Sequence, residues 1–296
     1  MNTPLLSNRL LIALISLCLY ATSTNAAFLY ALSGDDLGVS RRLNQIDTTS
    51  QTVQTVFDLG DGTLGYFGLA YGNNKFYTIA SDGSGSFSLQ TFSLSGSGAT
   101  NPELSLGEGF TGGLAFSGGN TLYALANDLT GAASLYTIDL LAASVSLIDS
   151  SLGFGQPGGL TWNPNKQLLY ALGSNLSFEQ TLYSIDPSVS GSATPVTNLL
   201  GSGIIGGVDI SATGDIYAIG NESNSSELLS VTLGGNSAPL FGLSADPSFT
   251  FSALTSGPAF AIPDPSVTVP EPPTILLLAI GLLFSAGIRS KAHLRN

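Results

Sequence analysis

Tyr30, Tyr77, Tyr123, Tyr170 and Tyr217 stand 47, 46, 47 and 47 residues apart, and each sits in the same short apolar setting. The five copies read Leu29-Tyr30-Ala31-Leu32, Phe76-Tyr77-Thr78-Ile79, Leu122-Tyr123-Ala124-Leu125, Leu169-Tyr170-Ala171-Leu172 and Ile216-Tyr217-Ala218-Ile219. A second mark precedes four of them: Gly68-Leu69-Ala70-Tyr71, Gly113-Leu114-Ala115-Phe116, Gly159-Leu160-Thr161-Trp162 and Gly207-Val208-Asp209-Ile210. A third follows each, as in Leu135-Tyr136-Thr137-Ile138-Asp139 and Leu182-Tyr183-Ser184-Ile185-Asp186. A repeat of this length is one supersecondary unit, which must cover its apolar faces with its neighbours.

Each mark is rich in aromatic and β-branched residues and bounded by Gly, Asn, Asp or Ser, the pattern of strands joined by tight turns. A more variable fourth strand follows, as at Val53 to Leu59, Val145 to Ile148 and Val196 to Leu200. Four strands per repeat, with Gly-Gly ahead of the first, fit a β-propeller blade, whose inner strand crowds the axis. No helical period of useful length occurs between Ala27 and Thr268. The first repeat begins at its second strand, and the missing inner strand falls one period after Gly207-Val208-Asp209-Ile210, at Phe251 to Ser256. The expected fold is therefore all-β, a five-bladed β-propeller closed by N- and C-terminal strands, which leaves no free sheet edge. A sixth blade opened at Phe260-Ala261-Ile262 and a β-sandwich are the alternatives; little chain remains before Pro263 to complete a sixth blade. The repeats resemble those of secreted YVTN-like and WD40-like propellers, a resemblance that implies fold and not substrate.

Both ends read as addresses. Arg9 precedes the apolar run Leu10 to Leu19, and Thr24-Asn25-Ala26 offers small residues to a signal peptidase, so residues 1–26 read as a signal peptide. Cys18, the one cysteine, leaves with it, and no disulfide is expected in the mature protein. Residues 27–262 form the repeat body, 263–268 a proline-rich spacer, and 269–296 a second address. That segment runs from Val269-Pro270-Glu271-Pro272 through the apolar stretch Ile275 to Ile288 to the basic tail Arg289, Lys291 and Arg295. As a helix of about 14 residues the stretch spans roughly 21 Å, short of a ~30 Å hydrocarbon core. Its cations hold the C-terminus on the cytoplasmic side. The segment resembles the PEP-CTERM sorting signal of Gram-negative bacteria, found also at the end of some ice-binding proteins, in which an exosortase cuts near the PEP triplet. A transient hydrophobic sorting helix in the inner membrane is what the resemblance implies, with exosortase-like transpeptidase or protease and signal peptidase as partners.

Charge narrows the partners. Between Ala27 and Thr268 nineteen carboxylates stand against the four cations Arg41, Arg42, Lys75 and Lys166, a balance of −15. Such a surface repels nucleic acid and anionic lipid and favours cations or neutral ligands. The same span has no histidine, which excludes histidine-ligated metals and Ser-His-Asp chemistry.

Five positions after each repeat tyrosine stand Asp35, Asp82, Asp128, Asn175 and Glu222, with Asp36, Asn127 and Asn221 beside three of them. All five are expected on one face, in loops between second and third strands. They read either as a ring of oxygen donors suited to Ca²⁺ or as turn residues bonding their own backbone. On the same face Tyr66, Phe67, Phe110, Phe154 and Phe249 read either as stacking platforms for sugar rings or as plugs of the core. Asp47, Asp139 and Asp186 end third strands and read as turn residues. Asp209 breaks the repeat, since its counterparts are Ala70, Ala115 and Thr161.

We expect a non-catalytic binding or structural protein, exported to the cell surface or extracellular matrix and binding polysaccharide or another surface protein; the resemblance to the PEP-CTERM signal implies that the producer makes exopolysaccharide. The alternative is a propeller glycoside hydrolase or polysaccharide lyase with Asp209 as its acid; that chemistry needs a second carboxyl about 5 to 9.5 Å away.

Overall fold

The computed structural model describes residues 28–258, apart from 36–39, 62–64, 94–100, 128–130, 175–178, 192, 199–203, 212–213, 223–224, 234–235 and 244–248. The expected signal peptide, spacer and sorting helix lie outside the described residues.

Each repeat tyrosine lies on the second strand of a four-stranded antiparallel sheet, and five such sheets follow one another along the chain. The chain opens with β1 (Phe28–Asp35), β2 (Ser40–Asp47) and β3 (Thr52–Asp61). The first complete sheet is β4 (Gly65–Gly72), β5 (Lys75–Ser81), β6 (Phe87–Phe92) and β7 (Asn101–Gly107). The second is β8 (Leu114–Gly118), β9 (Thr121–Asn127), β10 (Ala133–Asp139) and β11 (Ser144–Asp149). The third is β12 (Leu160–Asn163), β13 (Leu168–Ser174), β14 (Gln180–Ile185) and β15 (Thr194–Asn198). The fourth is β16 (Ile204–Ile210), β17 (Ile216–Glu222), β18 (Ser225–Val231) and β19 (Ser237–Gly242). The last strand, β20 (Phe249–Gly257), pairs with β1 to give the sheet order β20-β1-β2-β3. This is a five-bladed β-propeller closed by its two chain ends. Among the described residues no helix is long and apolar enough to cross a membrane.

Alternate residues of a strand point to opposite faces, so the middle strands of each blade are apolar on both sides and pack against a blade on either hand. Five apolar clusters result, one between each pair of neighbouring blades. Ile79 and Leu89 meet Leu114 and Leu122 in one, and Leu29 and Ile46 meet Ile219 and Leu228 in another. Burying each such side chain contributes about 1.5–3 kcal/mol, and these clusters supply the stability of a body without disulfides.

Gly112-Gly113 and Gly158-Gly159 lie just ahead of their inner strands, β8 and β12, as the sequence implies, whereas Gly206-Gly207 lies inside β16 and Gly68 inside β4. In β4 and β16 the register slips between Phe67 and Leu69 and between Ile205 and Val208, so the glycines form bulges. Their purpose is the approach of one inner strand to the next. A Cβ at Gly113 would stand 2.2 Å from the Leu160 amide nitrogen, one at Gly159 2.2 Å from that of Val208, and one at Gly207 2.4 Å from that of Leu254. Five blades leave a narrow axis, and backbone packs on backbone where it closes. Gly159→Val is therefore expected to lower stability by about 3 kcal/mol or more through overpacking, as read by thermal unfolding; an unchanged melting temperature would contradict this packing.

Polar ties hold the closing strand. Asn221 Nδ2 donates to the Phe251 carbonyl at 2.8 Å, the Phe251 amide donates to Ser226 Oγ at 3.1 Å, and Tyr30 Oη donates to the Pro258 carbonyl at 2.6 Å. Each joins residues far apart in the chain, so the ring closes by specific bonds as well as by apolar burial.

Candidate functional site

Of the connections between second and third strands, the described residues include in full the one that follows β5. Asp35 ends β1, Glu222 ends β17, and Asp82 follows β5. Asp128 and Asn175 lie outside the described residues. Asp82 is exposed, and its Oδ1 accepts from the Ser84 amide at 2.9 Å and from Ser84 Oγ at 2.6 Å. The Ser84 hydroxyl, and after it the Ser84 amide, holds this carboxyl below its ordinary value. That is the geometry of a turn residue bonding its own loop. Asn221 is engaged too, donating to Phe251 and accepting from Ser226 Oγ. Among the described residues no group of three His, Cys, Asp or Glu side chains is placed to hold a metal.

Phe67, Phe110 and Phe154, at this end of the blades, serve the core. Phe110 and Phe154 are buried; Phe110 packs on Tyr136 with centroids 4.9 Å apart, and Phe154 stacks on Tyr183 at 4.4 Å. Phe67 meets Phe87 edge-on at 5.9 Å. Tyr66 lies on β4 and is half-buried, and Phe249 opens β20. The residues ending third strands cap turns: Asp47 Oδ1 accepts from the Thr49 amide at 2.8 Å, and Asp139 Oδ1 from Leu141 and Ala142 at 2.8 and 2.9 Å.

Chemistry collects instead along the axis, near the other end of the inner strands. Asp209 is 5 % exposed and stands opposite Tyr217 in the ladder. Its Oδ1 accepts from Thr161 Oγ1 of the neighbouring blade at 2.9 Å, and its Oδ2 is buried without a partner. Burial pushes this carboxyl up to about 7; the Ser256 and Thr161 hydroxyls and the Ile210 amide oppose the rise without cancelling it. Ser256 lies beside the carboxyl. Asp209, Thr161, Thr255 and Ser256 line a cavity of about 90 Å³, which adjoins a wider mouth of about 340 Å³. Trp162 and Phe116 line both, each backed by the tyrosine of the preceding blade: Trp162 on Tyr123 at 5.7 Å, Phe116 on Tyr77 at 6.2 Å.

Repeat alignment singled out Asp209 but not its company. Thr161 and Thr255 hold the same register position, opposite Tyr170 and Tyr30, so listing the residue paired with each repeat tyrosine would have found them. Ser256 follows Thr255 on the strand contributed by the far end of the chain, and its nearness to Asp209 depends on ring closure.

Residues 268–291 match the family described as the PEP-CTERM protein-sorting motif. No curated protein sequence matches the chain. By shape the chain is similar to TolB from Acinetobacter baumannii, with 13% sequence identity, 84% of this chain and 71% of that chain covered, and a TM-score of 0.54. It is also similar to the Bacteroides ovatus Xyloglucan PUL GH43B, with 13% identity, 82% and 59% covered, and a TM-score of 0.48. At such identity the likeness to TolB is one of fold alone. The chain thus carries a PEP-CTERM sorting motif behind a five-bladed β-propeller, and the motif implies an exported protein processed by an exosortase.

Proposed function

We propose that the protein is displayed at the surface of a Gram-negative cell or in its extracellular matrix, where the propeller binds exopolysaccharide without cleaving it. The observation that carries this reading is the sorting motif at residues 268–291 behind a propeller whose ends are already joined. The acidic body, with nineteen carboxylates against four cations, suits a neutral ligand. A binding role without hydrolysis is supported by the company of Asp209. Glycoside hydrolysis takes two carboxyl groups about 5 to 9.5 Å apart, and no second acid lines either axial cavity among the described residues.

Two measurements test the proposal. Replacing Glu271 with Ala in the producing cell should leave the protein membrane-held and uncut, seen as a larger species in the membrane fraction. Normal processing of that variant would remove the exosortase step. Incubating the purified protein with the producer's exopolysaccharide should give co-sedimentation and no new reducing ends. Shortened chains would turn the reading toward the glycosidase or lyase.

A further inference from the structure

The five inner strands are equivalent in the ladder and unlike in what they carry to the axis. Opposite the repeat tyrosines stand Ala70, Ala115, Thr161, Asp209 and Thr255. One residue further along stand Tyr71, Phe116, Trp162, Ile210 and Ser256. Rings therefore come from three consecutive blades, whereas hydroxyls and the carboxyl come from the third blade onward to the closing one. A single opening is divided into an aromatic sector and a polar sector. Nothing in blade packing requires this division, since any apolar residue closes a blade.

The opening has the size and lining of a small-ligand site. Its mouth, about 340 Å³, is lined by Phe116, Trp162, Asn163, Asn165 and Ser211 among others, and narrows to the 90 Å³ cavity with Asp209 in its wall. Among the described residues, Asp209 apart, no lining residue of either part is charged. An anionic ligand would meet a carboxyl and the −15 balance of the body. A hard cation needs several oxygen ligands with more than one negative charge among them, and the wall supplies one carboxyl. A neutral ring with hydroxyls satisfies both sectors: its axial C–H face lies on an aromatic ring while its hydroxyls meet the Ser and Asn side chains of the mouth.

We infer that the axial mouth on the side of the turns between first and second strands is a subsite for a neutral sugar residue, with Trp162 as its stacking platform. This rests on the polysaccharide-binding reading above, and it places the ligand at the end of the propeller opposite the acidic loops.

Trp162 is the one tryptophan in the chain, so tryptophan fluorescence reports on this mouth alone. The full-length protein is titrated with neutral malto-, cello- and xylo-oligosaccharides, with oligogalacturonate and CaCl₂ as contrasts, and binding is followed in parallel by calorimetry. At least one neutral oligosaccharide is expected to shift or quench Trp162 emission with the midpoint that calorimetry gives. Asn165→Arg, at an exposed position on the rim, should weaken that binding about tenfold with an unchanged melting temperature. Trp162→Phe keeps a ring against Tyr123 and should retain binding, with the calorimetric signal as its readout. Saccharide binding that leaves Trp162 silent and ignores Asn165→Arg would overturn the subsite and leave the proposed function standing. A Trp162 response to Ca²⁺ alone or to oligogalacturonate would overturn the neutral-ligand assignment. Absence of binding to every oligosaccharide and to the producer's own exopolysaccharide would overturn the proposed function, and the subsite with it.

Discussion

Truncation before Phe249 is expected to abolish cooperative unfolding and to drive the protein into aggregates. The loss follows from where β20 sits. Phe251 and Leu254 belong to the apolar cluster between the fourth blade and the closing blade, and Ala253 to the cluster between the closing blade and the first. Removing them opens two blade interfaces at once. It also strips β1 of its ladder partner from Phe28 to Asp35, leaving an unpaired edge that can pair with another copy. Two large buried side chains at about 1.5–3 kcal/mol each, together with the polar ties of Asn221 and Ser226 to Phe251, are a large fraction of the roughly 5–15 kcal/mol by which domains are stable. The check is chemical denaturation followed by circular dichroism, with sizing by light scattering. A monomeric truncation with an unchanged unfolding midpoint would contradict closure by β20.

Stability should fall as pH rises from about 4 to about 7, and Asp209→Asn should remove that fall. Burial raises the Asp209 carboxyl from 3.8 to about 7 in the folded protein. The folded state therefore holds its proton through a range where the unfolded chain has released it. Its contribution is fully present below the unfolded value and is lost as pH passes through the folded one. The interval of about three pH units, at about 1.4 kcal/mol each, gives about 4 kcal/mol. Asparagine keeps an oxygen to accept from Thr161 and carries no charge at any pH, so above pH 7 the variant should be the more stable form. For a body of this size the gain corresponds to a melting temperature about 10 °C higher. Near pH 4 the two proteins should melt together. Equal pH profiles for both would show that Asp209 titrates in an ordinary environment. Asp82 and Asp186 act in the opposite sense: the Ser84 and Ser188 hydroxyls, and then the amides of the same residues, hold them low, so their contribution disappears only in acid.

Most of the architecture could be read from residue order because a propeller is built from local pieces. The apolar-Tyr-Ala-apolar signature marks a strand buried on both faces, the following Leu-x-x-Ile-Asp marks its partner and turn, and the 47-residue spacing counts the blades. Even the closure was legible, since a repeat that starts at its second strand needs a first strand from elsewhere, and Phe251 to Ser256 falls one period on. The sorting motif was legible for a related reason. A short polar triplet, an apolar stretch and a basic tail act by composition and order, with no packing required.

The candidate site was legible only in part, and the difference is one of distance along the chain. Asp209 stood out because it breaks a repeat, but the groups that define its chemistry are 48 residues away at Thr161 and 47 away at Ser256, brought together by the curvature of the ring. Sequence alignment placed Phe110 and Phe154 on the acidic face and left their role open between platform and plug. Their contacts with Tyr136 and Tyr183 are made within the core and decide for the plug. Residue order therefore determined the strands, the blade count and the address. Ring closure, by setting which inner strands touch and how little room lies between them, determined that one end of the axis is filled with glycine backbone and the other is left open beside a buried acid.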